Sequence, residues 1–202
     1  MAQLAVTSPQ QLAHEPATNP KLDRQTPDLI VASPFARAHA TAMATVAVFS
    51  SVPFEIWHIH EFTYLEPARC VNTTVAQRRE WVDAYWAKSD PAFTDGEGAE
   101  SFLDFVSRAQ SILDGLAEHP AENIVGFSHR QFINAVAWLI ERKPQDIDGR
   151  AMADWRDYEI TNHLPNCRGY LLTLDPGDSV WEIGQRESRR SSTDQTWPVS
   201  ED

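Results

Sequence analysis

Short apolar runs alternate with helix-like patterns along most of this chain. Runs rich in apolar and β-branched residues predict buried strands at residues 28–32, 53–60 and 123–127. Apolar positions that recur at steps of three and four predict helices at residues 33–49, 73–88, 102–116 and 132–140. Strands alternating with helices are typical of α/β folds. We therefore expect a three-layer α/β/α sandwich around a mostly parallel sheet.

The C-terminal region predicts a hairpin followed by a tail. Residues 169–174 and 179–183 have strand-like patterns and flank a typical turn sequence at 175–178. From 186 to 202 the chain is polar, which predicts disorder. A length of 202 residues suits one globular domain, and we assign residues 1–185 to it.

Composition and charge narrow the classes of partner. A formal net charge of -12 argues against nucleic acid, because binding to a phosphate backbone draws on clustered Lys and Arg. No apolar run reaches the roughly 18 residues of a membrane helix, and no secretion signal opens the chain. Its two cysteines, Cys70 and Cys167, are far apart and fit a reducing compartment. We expect a cytoplasmic protein that binds neither nucleic acid nor membrane.

Two strand-to-helix junctions carry cationic or titratable side chains. Ser33-Pro34 opens a predicted helix, with Ser33 as N-cap, and this places Arg37 in the first turn. His129 follows the predicted strand at 123–127 in the same way. Ligands of open α/β sheets bind beyond the carboxyl ends of strands, where free helix N–H groups attract anions. Arg37 and a charged His129 are suitable donors to a phosphate group. Taken alone, each also fits a structural role, Arg37 as a surface or ion-paired helix residue and His129 as a structural histidine.

Three segments together resemble the histidine phosphatase superfamily, of the phosphoglycerate-mutase-like kind. They are "DLIVASPFARAHATA" from Asp28, "IHEFTYL" around Glu61 and "NIVGFSHRQFI" around His129. The resemblance extends from about residue 28 to 174. It implies that a phosphohistidine forms and is hydrolysed, that Arg37 and His129 clamp the phosphate, and that Glu61 protonates the leaving oxygen. Glu66 is a poorer candidate for that proton donor.

Further charged residues near these motifs are secondary candidates. The family often carries arginines after its glutamate, so Arg78 and Arg79 are candidates for binding a distal charge of the substrate, or are solvated helix residues. His58 and His60 alternate on a predicted strand, and such a pair can bind zinc. The sequence shows no second cluster to complete a coordination shell, and the family needs no metal. We expect neither a metal nor a cofactor.

The chain departs from the family pattern in two places. The family's nucleophile lies in an Arg-His-Gly motif after the first strand, and this sequence contains no such motif; its first histidine, His14, has a different context. Either the chain begins after that strand and loop, which we favour, or residues 4–6 form a degenerate first strand ending at Thr7-Ser8-Pro9. The second departure is Arg130, where the family often has a small residue.

These observations predict a phosphomonoesterase of the histidine-phosphatase type whose nucleophilic histidine is absent, so that turnover is negligible. The alternative is a non-catalytic or regulatory protein that binds phosphorylated ligands; a phosphoglycerate mutase ranks third. The expected ligand is phosphate or a small phosphorylated metabolite. The sequence specifies neither the substrate nor the oligomeric state.

Overall fold

The computed structural model describes residues 2–7 for their backbone, and residues 26–175 and 177–184 in full. The tail predicted at 186–202 lies outside these residues, as does His14. The assignment of residues 1–185 to a single domain stays a prediction. Within the described part of the chain, no helix is long and apolar enough to span a bilayer.

A six-stranded mixed sheet forms the centre of the molecule, in the order β3-β2-β4-β1-β5-β6. Its first four strands run parallel, while β5 is antiparallel to β1 and β6 is antiparallel to β5. The strands are β1 (Ala2–Thr7), β2 (Leu29–Ala32), β3 (Phe54–Ile56), β4 (Asn123–Phe127), β5 (Leu171–Leu174) and β6 (Glu182–Ile183). The predicted mostly parallel sheet and the predicted C-terminal hairpin are confirmed.

Helices cover both faces of this sheet. They are α1 (Ala36–Val48), α2 (Pro67–Cys70), α3 (Val75–Lys88), α4 (Phe102–Ala117), α5 (Arg130–Arg142) and α6 (Gly149–Thr161). Successive side chains of β2 point to opposite faces: Ile30 packs with α1 residues, whereas Leu29 and Val31 belong to the larger core formed with α4, α5 and α6. The predicted three-layer sandwich is confirmed.

Strand β1 corrects the interpretation that the first strand is missing. It lies between β4 and β5, with Thr7 opposite Phe127 and Ala2 opposite Leu174. Its sequence, AQLAVT, is short and rich in alanine, so it gave a weak signal, and backbone pairing with strands on both sides determines its place. The sequence continues after Thr7 with Ser8-Pro9-Gln10, and the resemblance implies an Arg-His-Gly motif just after this strand.

The start of α1 and the end of β3 differ from their predictions. Helix α1 begins at Ala36, and Ser33 is not its N-cap, because the buried Ser33 hydroxyl accepts from the Phe35 amide at 3.2 Å and contacts a histidine ring. Strand β3 ends at Ile56 rather than at residue 60. Its continuation leaves the sheet because the guanidinium of Arg108 binds two carbonyl groups there, those of His58 and His60.

Helix α6 was not predicted from the sequence. Its apolar face is narrow: Met152, Trp155 and Tyr158 are buried, and most of the other positions are polar. Asp148 is the N-cap of this helix, and its carboxylate accepts from the amides of Arg150 and Ala151, each at 2.9 Å. This helix matters for function because it contributes a buried carboxylate beside the candidate site.

Candidate functional site

The carboxyl ends of β2 and β4 place two predicted site residues at one edge of the sheet. Ala32 pairs with Phe127, and the Ser33 amide donates to the Phe127 carbonyl at 2.9 Å. Arg37 and His129 follow these strand ends and lie at the start of α1 and α5 respectively. The sheet register therefore brings together two residues that are 92 positions apart in sequence.

Arg37, Glu61 and His129 contact one another. The Nε of Arg37 donates to Nδ1 of His129 at 3.0 Å, and its Nη2 donates to Oε2 of Glu61 at 3.2 Å. The same Glu61 oxygen lies 3.8 Å from Nδ1 of His129. The predicted convergence of the three side chains is therefore observed, while their roles stay predictions.

His129 is neutral in this arrangement. Its side chain is 1% exposed, and burial, reinforced by the Arg37 charge, lowers the pKa of His129 to about 3. Since Nδ1 accepts from Arg37, the proton is on Nε2, which donates to the Ser33 hydroxyl at 2.8 Å. The expectation of a charged His129 is wrong for this state of the site, because the neighbouring guanidinium favours the uncharged ring.

Glu61 has a raised pKa. Burial is the largest cause, and it outweighs the opposing effects of Arg37 and of the Gln131 amide, which donates to Oε1 of Glu61 at 3.2 Å. Glu61 therefore keeps a proton at a higher pH than an ordinary glutamate. Glu66, the poorer candidate, does not join this group; its carboxyl packs against the backbone of Gly96, where an added Cβ would lie 2.9 Å away.

A cavity of about 380 Å³ opens beside this group. Arg37 and Glu61 line it, together with Phe35 at the start of α1. Arg78 reaches the same cavity from α3, whereas Arg79 is exposed and does not line it. Of the two secondary arginine candidates, the structure brings only Arg78 to the site.

Arg130 points away from the cavity, toward α6. Its Nη2 lies 2.7 Å from Oε1 of Glu159, whose side chain is 2% exposed, and its Nη1 lies 3.1 Å from Nδ1 of His163. Arg156 binds the other oxygen of Glu159 at 3.3 Å. The sequence signal for this cluster was a single acidic residue on the narrow apolar face of α6, adjacent to Tyr158 and four residues after Trp155.

The histidine pair considered as a metal site lies near Phe35. The rings of His58 and His60 are 6.3 Å apart, and the His60 ring lies 5.5 Å from Phe35. Burial and the Arg108 charge lower the pKa of His60. Across residues 26–175 and 177–184, no three His, Cys, Asp or Glu side chains are grouped to hold a metal ion.

Comparisons with known proteins identify a matching family model and solved structures similar to this chain. The family model of the histidine phosphatase superfamily, branch 1, matches residues 12–170. A mycobacterial glucosyl-3-phosphoglycerate phosphatase in complex with inorganic phosphate is 17% identical with a TM-score of 0.63, over 93% of this chain and 98% of that one. The α-ribazole phosphatase of Shigella flexneri is 16% identical with a TM-score of 0.61, over 93% and 96% of the respective chains. No curated protein matches the sequence.

Proposed function

The chain belongs to branch 1 of the histidine phosphatase superfamily, and we propose that it binds phosphomonoesters at Arg37, which Glu61 and His129 contact, without forming a phosphohistidine. The observation that carries this proposal is the contact of all three side chains at the sheet edge. Such an edge suits an anion, because the first turns of α1 and α5 offer free N–H groups beside a guanidinium. The mycobacterial relative was solved with inorganic phosphate and with vanadate.

The position of β1 supports the non-hydrolytic part of the proposal. This strand ends at Thr7, which pairs with Phe127, two residues before His129. The family's nucleophilic histidine follows this strand, and here the sequence continues with Ser8-Pro9-Gln10. A phosphohistidine needs a free imidazole nitrogen facing phosphorus. Both nitrogens of His129 are occupied, one by Arg37 and the other by Ser33.

The charge of Glu61 controls the affinity of Arg37 for an anion. Two like unit charges 4 Å apart repel by about 4 kcal/mol at an effective dielectric constant of about 20. An ionised Glu61 at 3.2 Å from Arg37 therefore opposes a phosphate at the same guanidinium. Because burial already raises the pKa of Glu61, proton uptake by this carboxyl accompanies binding of the anion.

The test pairs a binding measurement with a turnover measurement on one preparation. Calorimetric titration with inorganic phosphate is expected to show one site per chain, and p-nitrophenyl phosphate is expected to show negligible turnover. Robust turnover that His129→Ala abolishes would overturn the non-hydrolytic assignment. Absence of any phosphate binding would overturn the assignment of the site.

The second candidate function is phosphomonoester hydrolysis, and the raised pKa of Glu61 favours it. A carboxyl that holds its proton at a higher pH than an ordinary glutamate is suited to protonate a leaving oxygen. One variant, Glu61→Gln, distinguishes the two functions. If the protein is a hydrolase, Glu61→Gln removes turnover while phosphate binding persists, because the amide cannot supply a proton.

A further inference from the structure

We infer that the cavity beside Arg37 accepts the apolar, aromatic organic group of the phosphomonoester, and not a polyol such as a sugar. This inference rests on the proposed phosphate site, and it adds the chemical class of the ligand. Arg37 and Glu61 stand in the wall of a space of about 380 Å³. Ligand pockets for small molecules generally measure about 300–1,000 Å³, so this one is large enough for a small ring system.

Most of the remaining wall is apolar. The side chains that line it include Phe35, Phe62, Leu65, Pro67, Val75 and Val82. A ligand group that fills this space removes carbon surface from water on both sides, at about 25 cal/mol for each Å² buried. An apolar organic group therefore gains affinity here that a hydrated one does not.

The apolar wall begins directly at the anion site. The Phe35 ring lies 5.3 Å from the His129 ring, edge-on, and its centroid is 5.6 Å from the Arg37 guanidinium carbon. Phe62 and Tyr64, which also line the cavity, have ring centroids 5.3 Å apart. The first group attached to a phosphate held by Arg37 therefore meets aromatic side chains, which pack well against another ring.

Hydrogen-bonding groups are few along this wall. The Thr63 hydroxyl is directed at the Glu61 carbonyl, at 3.5 Å. Tyr64 and Arg78 add one hydroxyl and one guanidinium, and the Nε of Arg78 is directed at the Thr74 carbonyl, at 3.4 Å. Each hydroxyl of a polyol that lost water without gaining a partner would cost about 1–3 kcal/mol. The lining thus discriminates against a sugar phosphate.

The mouth of the cavity leaves apolar surface in contact with water. Val75, the first residue of α3, lines the cavity and is 80% exposed. A ligand that covers this side chain gains contact area at little cost in ordering the protein. The net charge of -12 also favours apolar recognition, since the long-range field slows the approach of an anion and short-range contacts must supply the affinity.

The test compares three ligands by calorimetry on the full chain: inorganic phosphate, 1-naphthyl phosphate and glucose 6-phosphate. We expect 1-naphthyl phosphate to bind at least about tenfold tighter than glucose 6-phosphate, since a few apolar contacts suffice for such a ratio. Val75→Gln is expected to weaken 1-naphthyl phosphate about threefold or more while leaving inorganic phosphate unchanged. The matched control is Val48→Gln, at a valine that is 75% exposed on α1 and does not line the cavity.

The outcomes separate this inference from the function it rests on. Equal affinity for both organic phosphates, with normal binding of inorganic phosphate, would overturn the apolar ligand class and leave the phosphate site standing. Tight binding of 1-naphthyl phosphate that Val75→Gln and Val48→Gln affect equally would overturn its placement in this cavity. Failure of all three ligands to bind would overturn both proposals.

Discussion

At the scale of single residues, the site consists of three side chains that are joined by hydrogen bonds and an ion pair. Arg37 donates to a neutral imidazole and to a carboxylate, so its charge is partly compensated before any ligand arrives. The Arg37 side chain is half exposed, which leaves one side of the guanidinium open to the cavity. The protonation states of Glu61 and His129 therefore control what Arg37 can bind.

Glu61 makes anion binding depend on pH. As the pH falls through the raised pKa of Glu61, the carboxylate loses its charge and releases Arg37, so affinity for sulfate is expected to rise. Sulfate is the suitable probe because its own charge is constant between pH 5 and pH 8. Glu61→Gln is expected to bind sulfate about tenfold tighter at pH 7, with a flatter pH profile. Calorimetry over this range checks it, and an identical slope in the variant would contradict the role assigned to Glu61.

His129 makes the stability of the fold depend on pH in the opposite direction. The unfolded protein protonates His129 near its ordinary pKa of 6.5, whereas the folded pKa is about 3. Between these values only the unfolded state takes up this proton, so folding stability falls as the pH is lowered, by about 1.4 kcal/mol per unit. Urea unfolding at pH 7, 6 and 5 is expected to show a shallower loss for His129→Gln than for the wild type. Parallel curves would mean that His129 is not held neutral.

At the scale of elements, helices α5 and α6 are joined by a buried carboxylate. Glu159 on α6 binds Arg130, the first residue of α5, and Arg156 one turn earlier on its own helix. Arg130 immediately follows His129, so this link fixes the end of α5 that carries the site. The large residue at position 130 thus serves packing between helices, which explains how the chain tolerates it there.

Removing the Glu159 carboxylate should loosen this junction. Glu159→Ala leaves two guanidinium groups without their shared partner, and we expect the free energy of unfolding to drop by about 2 kcal/mol. The arginines are partly exposed and can regain water, so the loss stays below that of a fully buried pair. Asp157→Ala, at an exposed position of the same helix, is the control and should change stability by less than about 0.5 kcal/mol. Equal effects of the two substitutions in chemical denaturation would refute the link.

The spacing of apolar residues predicted the helices with broad apolar faces, and it missed a helix whose apolar face is narrow. Helices α4 and α5 bury broad apolar faces and were predicted. Helix α3 was predicted from Thr73-Thr74 as a cap and from apolar residues near helical spacing up to Lys88. Helix α6 buries a narrow face and was missed. The end of β3 was misplaced because Arg108, from a distant helix, binds the carbonyls that a longer strand would have used. Such tertiary contacts leave no local pattern in the sequence.

At the scale of the whole molecule, the sheet order brings the site together. Strands β2 and β4 are neighbours although their first residues, Leu29 and Asn123, are 94 positions apart in sequence. Their parallel register aligns the loops that carry Arg37 and His129. Motif order along the chain was enough to predict this convergence. The protonation of His129 was not predictable, because it depends on burial and on a charge supplied by another strand end.

Strand β1 is present although the motif expected after it is absent. The absence of Arg-His-Gly suggested that the first strand was absent too, yet the strand occupies the middle of the sheet. Fold and chemistry are separable here: backbone pairing with β4 and β5 needs only an extended segment, whereas the nucleophile needs one particular side chain. The fold of the family is therefore compatible with a site that binds phosphate without a covalent step.

The most direct measurement is the calorimetric affinity for inorganic phosphate of the wild type and of Arg37→Gln, with Arg79→Gln as the control. Arg37 contacts both other site residues, whereas Arg79 is exposed and does not line the cavity. The account predicts at least about a tenfold loss of affinity for Arg37→Gln, the value of one charge-assisted hydrogen bond, and no loss for Arg79→Gln. Unchanged affinity in Arg37→Gln, or equal losses in the two variants, would contradict it.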